Sequence, residues 1–226
     1  MKQLKVMLIG AAFALPLIVQ ADIAGSKHDF STNSWNTTRH TMCGPCHSIH
    51  DTDPSQLVPL WKHATTTKTF TMYDSPSFDG KVTQTPQPSG ASKACLSCHD
   101  GSLAVNQTFD GSYYSGSVSG GVTNAQFVAV NRQIAADGNL KTTHPISFDY
   151  NDVASKDQFI RPSSTVLSFA TGNMVGKTVN DLLNGGKMEC SSCHDVHKQK
   201  GYAPSDIFMR VVRNDYSELC RTCHIK

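Results

Sequence analysis

Apolar residues are unevenly distributed along this chain. One continuous apolar run, Val6–Val19, follows the basic residues Lys2 and Lys5 and ends in a small-residue sequence of the kind that precedes cleavage. This order is typical of a secretory signal peptide, so we expect residues 1–21 to be removed and residues 22–226 to form one mature domain. The run is short for a membrane-spanning helix, and a retained N-terminal anchor is the alternative.

Beyond that run, apolar residues seldom recur with the period of a helix or a strand. Helical spacing predicts a helix over Gln126–Ala136, with a pair of strands as the alternative, and shorter helices over Val179–Leu183 and Tyr216–Ile225. Proline and glycine predict a loop over residues 74–92, and glycine and serine predict another over 106–124. The expected fold is therefore mostly irregular, with short α-helices and little strand.

One five-residue pattern, C-x-x-C-H, occurs four times. It is the attachment sequence for c-type haem: the two thiols form thioether bonds, and the histidine binds the iron from the proximal side. All eight cysteines of the chain belong to these motifs, and none is left over. The predicted thioether residues are Cys43, Cys46, Cys95, Cys98, Cys190, Cys193, Cys220 and Cys223, and the predicted proximal ligands are His47, His99, His194 and His224.

Two other kinds of site use pairs of cysteines with this spacing. Four C-x-x-C pairs could form two Cys₄ zinc sites, or they could be redox-active dithiols. Neither needs a histidine directly after every second cysteine, so we favour haem attachment and predict four haem c groups as the cofactors.

Composition and charge change the picture in two ways. Removal of residues 1–21 leaves 18 basic and 18 acidic side chains, and the haem propionates would make the holoprotein acidic. There is no basic patch for nucleic acid. Because the chain is poor in periodic apolar segments, we expect four haems to supply the core, with the polypeptide wrapped around them and the haem-free chain largely unfolded.

The signal peptide and the haem-attachment motifs both indicate a location outside the cytoplasm. Haem is attached covalently outside the cytoplasm, where free cysteine pairs otherwise tend to oxidise. We therefore expect an exported protein that is periplasmic, outer-surface or extracellular, with no transmembrane segment in the mature chain.

An iron with one histidine ligand has an open sixth position unless another side chain fills it. Outside the motifs the chain has six histidines, more than four irons need. We predict that His40 is not a ligand and that methionine ligation is the minority case. The candidate distal ligands are His28, His50, His63, His144 and His197.

The first and third motifs extend to C-x-x-C-H-x-x-H. His50 and His197 each lie three residues after the proximal histidine of their own motif. At that spacing each imidazole lies on a face of the helical turn next to that of its own proximal histidine. Neither can reach the opposite face of its own haem, and each is predicted to serve a different haem packed nearby. The alternative is a surface histidine beside a haem edge.

The chain resembles the doubled-CxxCH tetrahaem c-type cytochromes, which are related to the multihaem cytochromes of metal-reducing bacteria and include filament-forming members. In that family the flanking histidines imply distal ligation, and the implied function is electron transfer. The resemblance extends over most of the mature chain and is carried by His28–Ser31, Cys43–His50, Pro59–Ala64, Cys95–Gly101, His144–Ile146, Cys190–His197 and Leu219–His224.

Three functions follow from this chemistry. The favoured one is an electron carrier with four low-spin bis-histidine haems and no catalytic residues, in respiratory or extracellular electron transport, whose partners are redox proteins or extracellular acceptors. The alternative is a homopolymeric extracellular filament, in which the resemblance implies that His50 ligates a haem of the neighbouring subunit. A less favoured third is a multihaem reductase with one open iron, although the surplus of histidines argues against it.

Overall fold

The structure of the chain is a computed structural model. It describes residues 23–36, 41–50, 52–53, 58–113, 125–168, 174–197, 208–211 and 217–225. The predicted signal peptide, His40 and most of the glycine- and serine-rich segment lie outside this part of the chain.

Short helices interrupt long irregular segments. The α-helices are α1 (Gly90–His99), α2 (Tyr150–Lys156), α3 (Cys190–Cys193) and α4 (Glu218–Cys223). Three of them, α1, α3 and α4, end at a C-x-x-C-H motif. Because positions i and i+3 share a helix face, one helical turn brings both thiols of a motif to the same side.

Other regular structure among the described residues is slight. Strands β1 (Phe148–Asp149) and β2 (Lys187–Met188) pair antiparallel, with Phe148 opposite Met188. Single turns of 3₁₀-helix occupy Ser34–Asn36, Asp79–Val82, Val130–Arg132 and Val179–Leu182.

Helix α2 begins where strand β1 ends. The side chain of Asp149 accepts a hydrogen bond from the Asp152 amide at 3.1 Å, which caps the helix. Among the described residues no helix is long and apolar enough to cross a membrane.

Two apolar clusters are built from the polypeptide itself. The larger surrounds α2 and the strand pair, and the Cys223 side chain of the fourth motif packs against it. Leu96 of the second motif lies in the smaller cluster, against which Cys190 of the third packs. The larger consists of Phe148, Tyr150, Val153, Ile160, Leu167, Met174, Val179, Leu182 and Met188.

The larger cluster was not expected from the sequence. Its members are separated by polar residues with no fixed period, so they gather only through the tertiary fold. The expectation that haem supplies the apolar mass therefore does not extend to residues 148–188, which bury a core of their own.

The predicted helix over Gln126–Ala136 is wrong. Only Val130–Arg132 forms a 3₁₀ turn, and Val130 is 83% exposed. The backbone of this segment bonds to other parts of the chain, with the Ile134 amide donating to the His99 carbonyl at 2.6 Å.

The positions of the two shorter predicted helices, Val179–Leu183 and Tyr216–Ile225, are confirmed. Val179–Leu182 is a 3₁₀ turn, and α4 covers Glu218–Cys223. Most of residues 74–92 lack regular structure, but Asp79–Val82 forms a 3₁₀ turn and α1 starts at Gly90.

Candidate functional site

Consecutive motifs are neighbours in space. Burial raises the pKa of the Cys98 thiol, and the first-motif thiol of Cys46 raises it further. Burial also raises the pKa of Cys193 to about 12, with further contributions from Cys223 and Cys220 of the fourth motif. The first motif therefore lies beside the second, and the third beside the fourth.

The second and third motifs meet through two cysteines. The Cys190 thiol is the main cause of the raised pKa of Cys95, so these two thiols are neighbours. Burial raises the pKa of Cys46 to about 11, so this thiol is protonated at neutral pH. All eight cysteines lie in the described part of the chain, and all are free thiols there.

Three motif histidines each lie beside a histidine from elsewhere in the chain. The ring centroids are 6.0 Å apart for His47 and His197 and 6.1 Å apart for His99 and His28. The third pair, His224 and His144, has centroids 6.4 Å apart. These distances join residues far apart in sequence, and none of the three pairs is made within one motif.

The separation fits one iron between two imidazoles. A histidine nitrogen lies about 2 Å from a metal ion it binds, and the ring centre lies roughly 1 Å behind it, so two axial imidazoles have centroids roughly 6 Å apart. The interplanar angles are 31°, 47° and 77°. Rotation of a ring about the iron–nitrogen axis is free to vary, so these angles are compatible with axial ligation.

Backbone carbonyls orient three of these rings. The Nδ1 atom of His47 lies 3.0 Å from the Pro59 carbonyl oxygen, and that of His99 lies 3.0 Å from the Arg132 carbonyl oxygen. His144 Nδ1 lies 2.8 Å from the Pro145 carbonyl oxygen. A carbonyl can only accept, so Nδ1 carries the proton and Nε2 keeps its lone pair, the arrangement typical of histidines that bind metals.

His28 differs from the other paired histidines because its Nδ1 is buried and has no hydrogen-bond partner. Burial lowers its pKa to about 4, with further lowering by His99 and His197. The ring is therefore neutral at physiological pH, as ligation requires. Its closeness to both His99 and His197 shows that the first and second motif sites are neighbours.

Two candidate ligands are placed differently. The ring of His63 is 1% exposed, and its Nδ1 and Nε2 lie 2.6 Å and 2.8 Å from the carbonyl oxygens of Ala64 and Ala104. A ligand role for His63 would require one of these contacts to be given up. His50 is exposed. Distal ligation by either residue stays a prediction, and His40 lies outside the described residues.

Exposed apolar side chains border three of the motif histidines. Ile49 is 75% exposed beside His47, and Ile225 is 42% exposed beside His224. Ile134 is 46% exposed, and its amide donates to the His99 carbonyl. Apolar side chains that face solvent next to these histidines would be covered by a flat apolar ring bound there.

A short segment crosses each of three motifs, which the sequence analysis did not find. These bridging segments are Leu60–Lys62 at the first motif, Phe208–Arg210 at the third and Phe159–Arg161 at the fourth. Their middle residues, Trp61, Met209 and Ile160, form antiparallel bridges with His47, His194 and His224. The only sequence signal is a shared order of two apolar residues followed by a basic one.

The described residues do not form a zinc site: no group of three or more His, Cys, Asp and Glu side chains among them could hold a metal ion. Comparison of the sequence finds no matching protein-family model and no matching curated protein.

Proposed function

We propose that this chain binds four c-type haems covalently and carries electrons through them. The observation that carries this proposal is the set of three histidine pairs at 6.0–6.4 Å, each joining a C-x-x-C-H histidine to a histidine from elsewhere. A Cys₄ zinc site and a dithiol site use no pair of imidazoles.

The pairs support specific ligand assignments. His197 is proposed as the distal ligand at the first motif, His28 at the second and His144 at the fourth. For the third motif the candidates are His50 and His63, with His40 read as non-ligating.

The cofactor supplies one-electron chemistry through its iron, and the protein contributes the rest. Backbone carbonyls at Nδ1 hold three of the imidazoles in the ligating tautomer, and the two thiols of each motif would fix the attached edge of the ring. Where a second histidine would bind the iron opposite the motif histidine, no position would be left for a substrate. The proposed function is therefore electron transfer without substrate chemistry, in the periplasm, at the outer surface or outside the cell.

The contacts between motifs make each motif a neighbour of the next one in the sequence. Cys46 neighbours Cys98, Cys95 neighbours Cys190, and Cys193 neighbours the fourth motif. Electrons would pass from the first site to the fourth, or the reverse, with each step between adjacent motifs.

The mass of the exported protein tests the proposal directly. We expect residues 22–226 plus four haems and a low-spin spectrum that carbon monoxide does not change after reduction. A colourless protein, or one that carries zinc, would overturn the proposal. Carbon monoxide binding to wild-type protein would instead indicate an open iron and favour a reductase.

Two histidines with the same motif spacing provide a matched pair of variants. His197→Ala should open one iron, measured as one carbon monoxide bound per chain, because His197 lies 6.0 Å from His47. His50→Ala should leave the spectrum of the isolated subunit unchanged if His50 serves another subunit. An unchanged spectrum in His197→Ala would contradict the assignment at the first motif.

A second candidate function is the polymer, and the exposure of His50 favours it. His197, three residues after its own proximal histidine, reaches a different motif, and His50 has the same spacing but faces solvent. In this alternative His50 ligates a haem of a neighbouring subunit. Electron microscopy of the exported fraction should then show fibres that disappear in His50→Ala, and absence of fibres in the wild type would contradict it.

A further inference from the structure

The three bridging segments bind their motifs through the same two backbone hydrogen bonds. In the fourth motif, Arg161 N donates to Cys223 O at 2.7 Å and Ile225 N donates to Phe159 O at 2.7 Å. In the third, Arg210 N donates to Cys193 O at 2.8 Å and Asp195 N donates to Phe208 O at 2.7 Å. The pairing of a bridging segment with a motif through these two bonds is therefore a repeated structural unit.

The first motif has the same pair of bonds. Lys62 N donates to Cys46 O at 2.8 Å, and Ser48 N donates to Leu60 O at 3.0 Å. In all three units the residue that bonds to the second cysteine is basic: Lys62, Arg210 or Arg161. Nothing in the backbone bond requires a basic side chain, since any residue except proline has the amide.

The two arginines also place their side chains alike. Arg161 Nε donates to the Arg221 carbonyl at 3.0 Å, and Arg210 Nε donates to the Ser191 carbonyl at 2.5 Å. Arg221 and Ser191 each follow the first cysteine of their motif. Each guanidinium therefore lies across its motif, at the edge where the thioethers would form.

The two arginines differ in their counter-charges. Arg210 Nη1 lies 3.4 Å from an Asp195 carboxylate oxygen, so an anion partly balances its charge. Within the described residues no acidic side chain lies within salt-bridge distance of Arg161, which bonds instead to a neutral carbonyl. The fourth motif itself adds a second cation, Arg221.

We propose that Arg161 is a positioning and potential-tuning residue, whose unbalanced charge raises the reduction potential of the haem at the fourth motif. This inference rests on the proposed function. Reduction lowers the positive charge at an iron, so a nearby cation stabilises the reduced form, and the effect is strongest where water is excluded. At the third motif, where Asp195 partly balances Arg210, the reduction potential of the haem should be raised less.

The test compares two variants of the full exported protein by spectroelectrochemical titration. Arg161→Gln removes the charge and Arg161→Lys keeps it, while neither retains the arginine Nε contact. We expect one of the four haem components to shift to lower potential in Arg161→Gln and to remain near its wild-type position in Arg161→Lys. The component that is missing from Cys220→Ala/Cys223→Ala identifies the fourth haem.

A control at another site tests whether the shift is specific to Arg161. Lys81→Gln removes a surface cation paired with Asp74 at 2.5 Å, outside the bridging segments, and should leave all four components in place. Equal shifts in both Arg161 variants would show that the hydrogen bond, and not the charge, sets the potential and would overturn the inference.

The failure of this inference is distinguishable from the failure of the proposed function. Four haems by mass and no shift of any component in Arg161→Gln would overturn the tuning role alone. A wild-type protein without haem would overturn the proposed function and this inference with it. If Arg161→Gln is poorly exported, Arg161→Met, which keeps a long side chain without charge, replaces it.

Discussion

The second and fourth motifs share one five-residue pattern but have opposite surroundings. The second ends the ten-residue helix α1, where Leu96 and Ser97 are 2% and 0% exposed, and is followed by the buried carboxylate of Asp100. The fourth ends the six-residue helix α4, with Cys220 exposed and a bridging arginine across it. Under the proposed function, the same pattern would attach haem at both sites, whereas the residues around it would determine how firmly the haem is held and at what potential.

Removal of the thiols should give the largest difference between the two motifs. Under the proposed function, Cys95→Ala/Cys98→Ala should prevent accumulation of folded protein, because α1 packs against α3 and haem attachment there would be coupled to folding. Cys220→Ala/Cys223→Ala should yield a three-haem protein. Mass and protease resistance of the exported chains measure this, and equal yields would show that the two sites contribute equally to folding.

Neutralising Asp100 should act in the opposite direction to Arg161→Gln. Its carboxylate accepts hydrogen bonds from Thr66 Oγ1 at 2.6 Å and from the Ser102 amide and hydroxyl at 2.7 Å and 2.6 Å. Asp100→Asn should cost about 2–3 kcal/mol of stability, since these bonds are made to a charged acceptor. It should also raise the potential of the second haem.

Chemical denaturation and redox titration check the two effects of Asp100→Asn separately. Ser102→Ala is the control, because it removes one hydroxyl donor and keeps the charge. If Ser102→Ala shifts the potential as far as Asp100→Asn does, the hydrogen bonding and not the charge is responsible.

Removal of the proposed distal ligands His28 and His144 should produce a smaller difference in stability between the second and fourth motifs. His28→Ala and His144→Ala should each open one iron, at the second and fourth motifs respectively. His28 also packs against Phe208 with ring centroids 4.9 Å apart, so its loss should cost about 1–2 kcal/mol more than the loss of the exposed His144. Thermal unfolding and carbon monoxide binding to the reduced proteins measure both effects, and faster binding in His28→Ala would contradict its greater burial.

The smallest effect should come from loss of the hydrogen bond that Tyr150 makes to the bridging segment Phe159–Arg161. Tyr150 is 2% exposed, and its hydroxyl donates to the Arg161 carbonyl at 2.8 Å. Tyr150→Phe should therefore cost about 1 kcal/mol and leave the ring packed. Denaturant titration measures the cost, and Lys156→Ala, which removes a surface ion pair with Asp152, should change stability by less.

The local chemistry of this chain was predictable, but its long-range pairings were not. The C-x-x-C-H motifs can be read directly, and the short helices over Val179–Leu182 and Glu218–Cys223 follow from local signals. The pairing of His47 with His197 depends on how about 150 intervening residues fold, and no local periodicity encodes that.

The error at Gln126–Ala136 has a physical reason. Phe127, Val130 and Ile134 have helical spacing, but the backbone of this segment is committed to other partners: Gln126 O accepts from Val105 N, and Ile134 N donates to His99 O. The tertiary contacts therefore override the local preference.

The contact between Cys95 and Cys190 constrains the order of events during biogenesis. Two neighbouring thiols in an oxidising compartment can also form a disulfide, and such a crosslink would block both motifs at once. Under the proposed function, the thioethers must therefore form on the extended nascent chain, before the second and third motifs meet. Haem attachment then competes kinetically with collapse of the polypeptide. A delay in haem supply would leave the chain crosslinked and without colour.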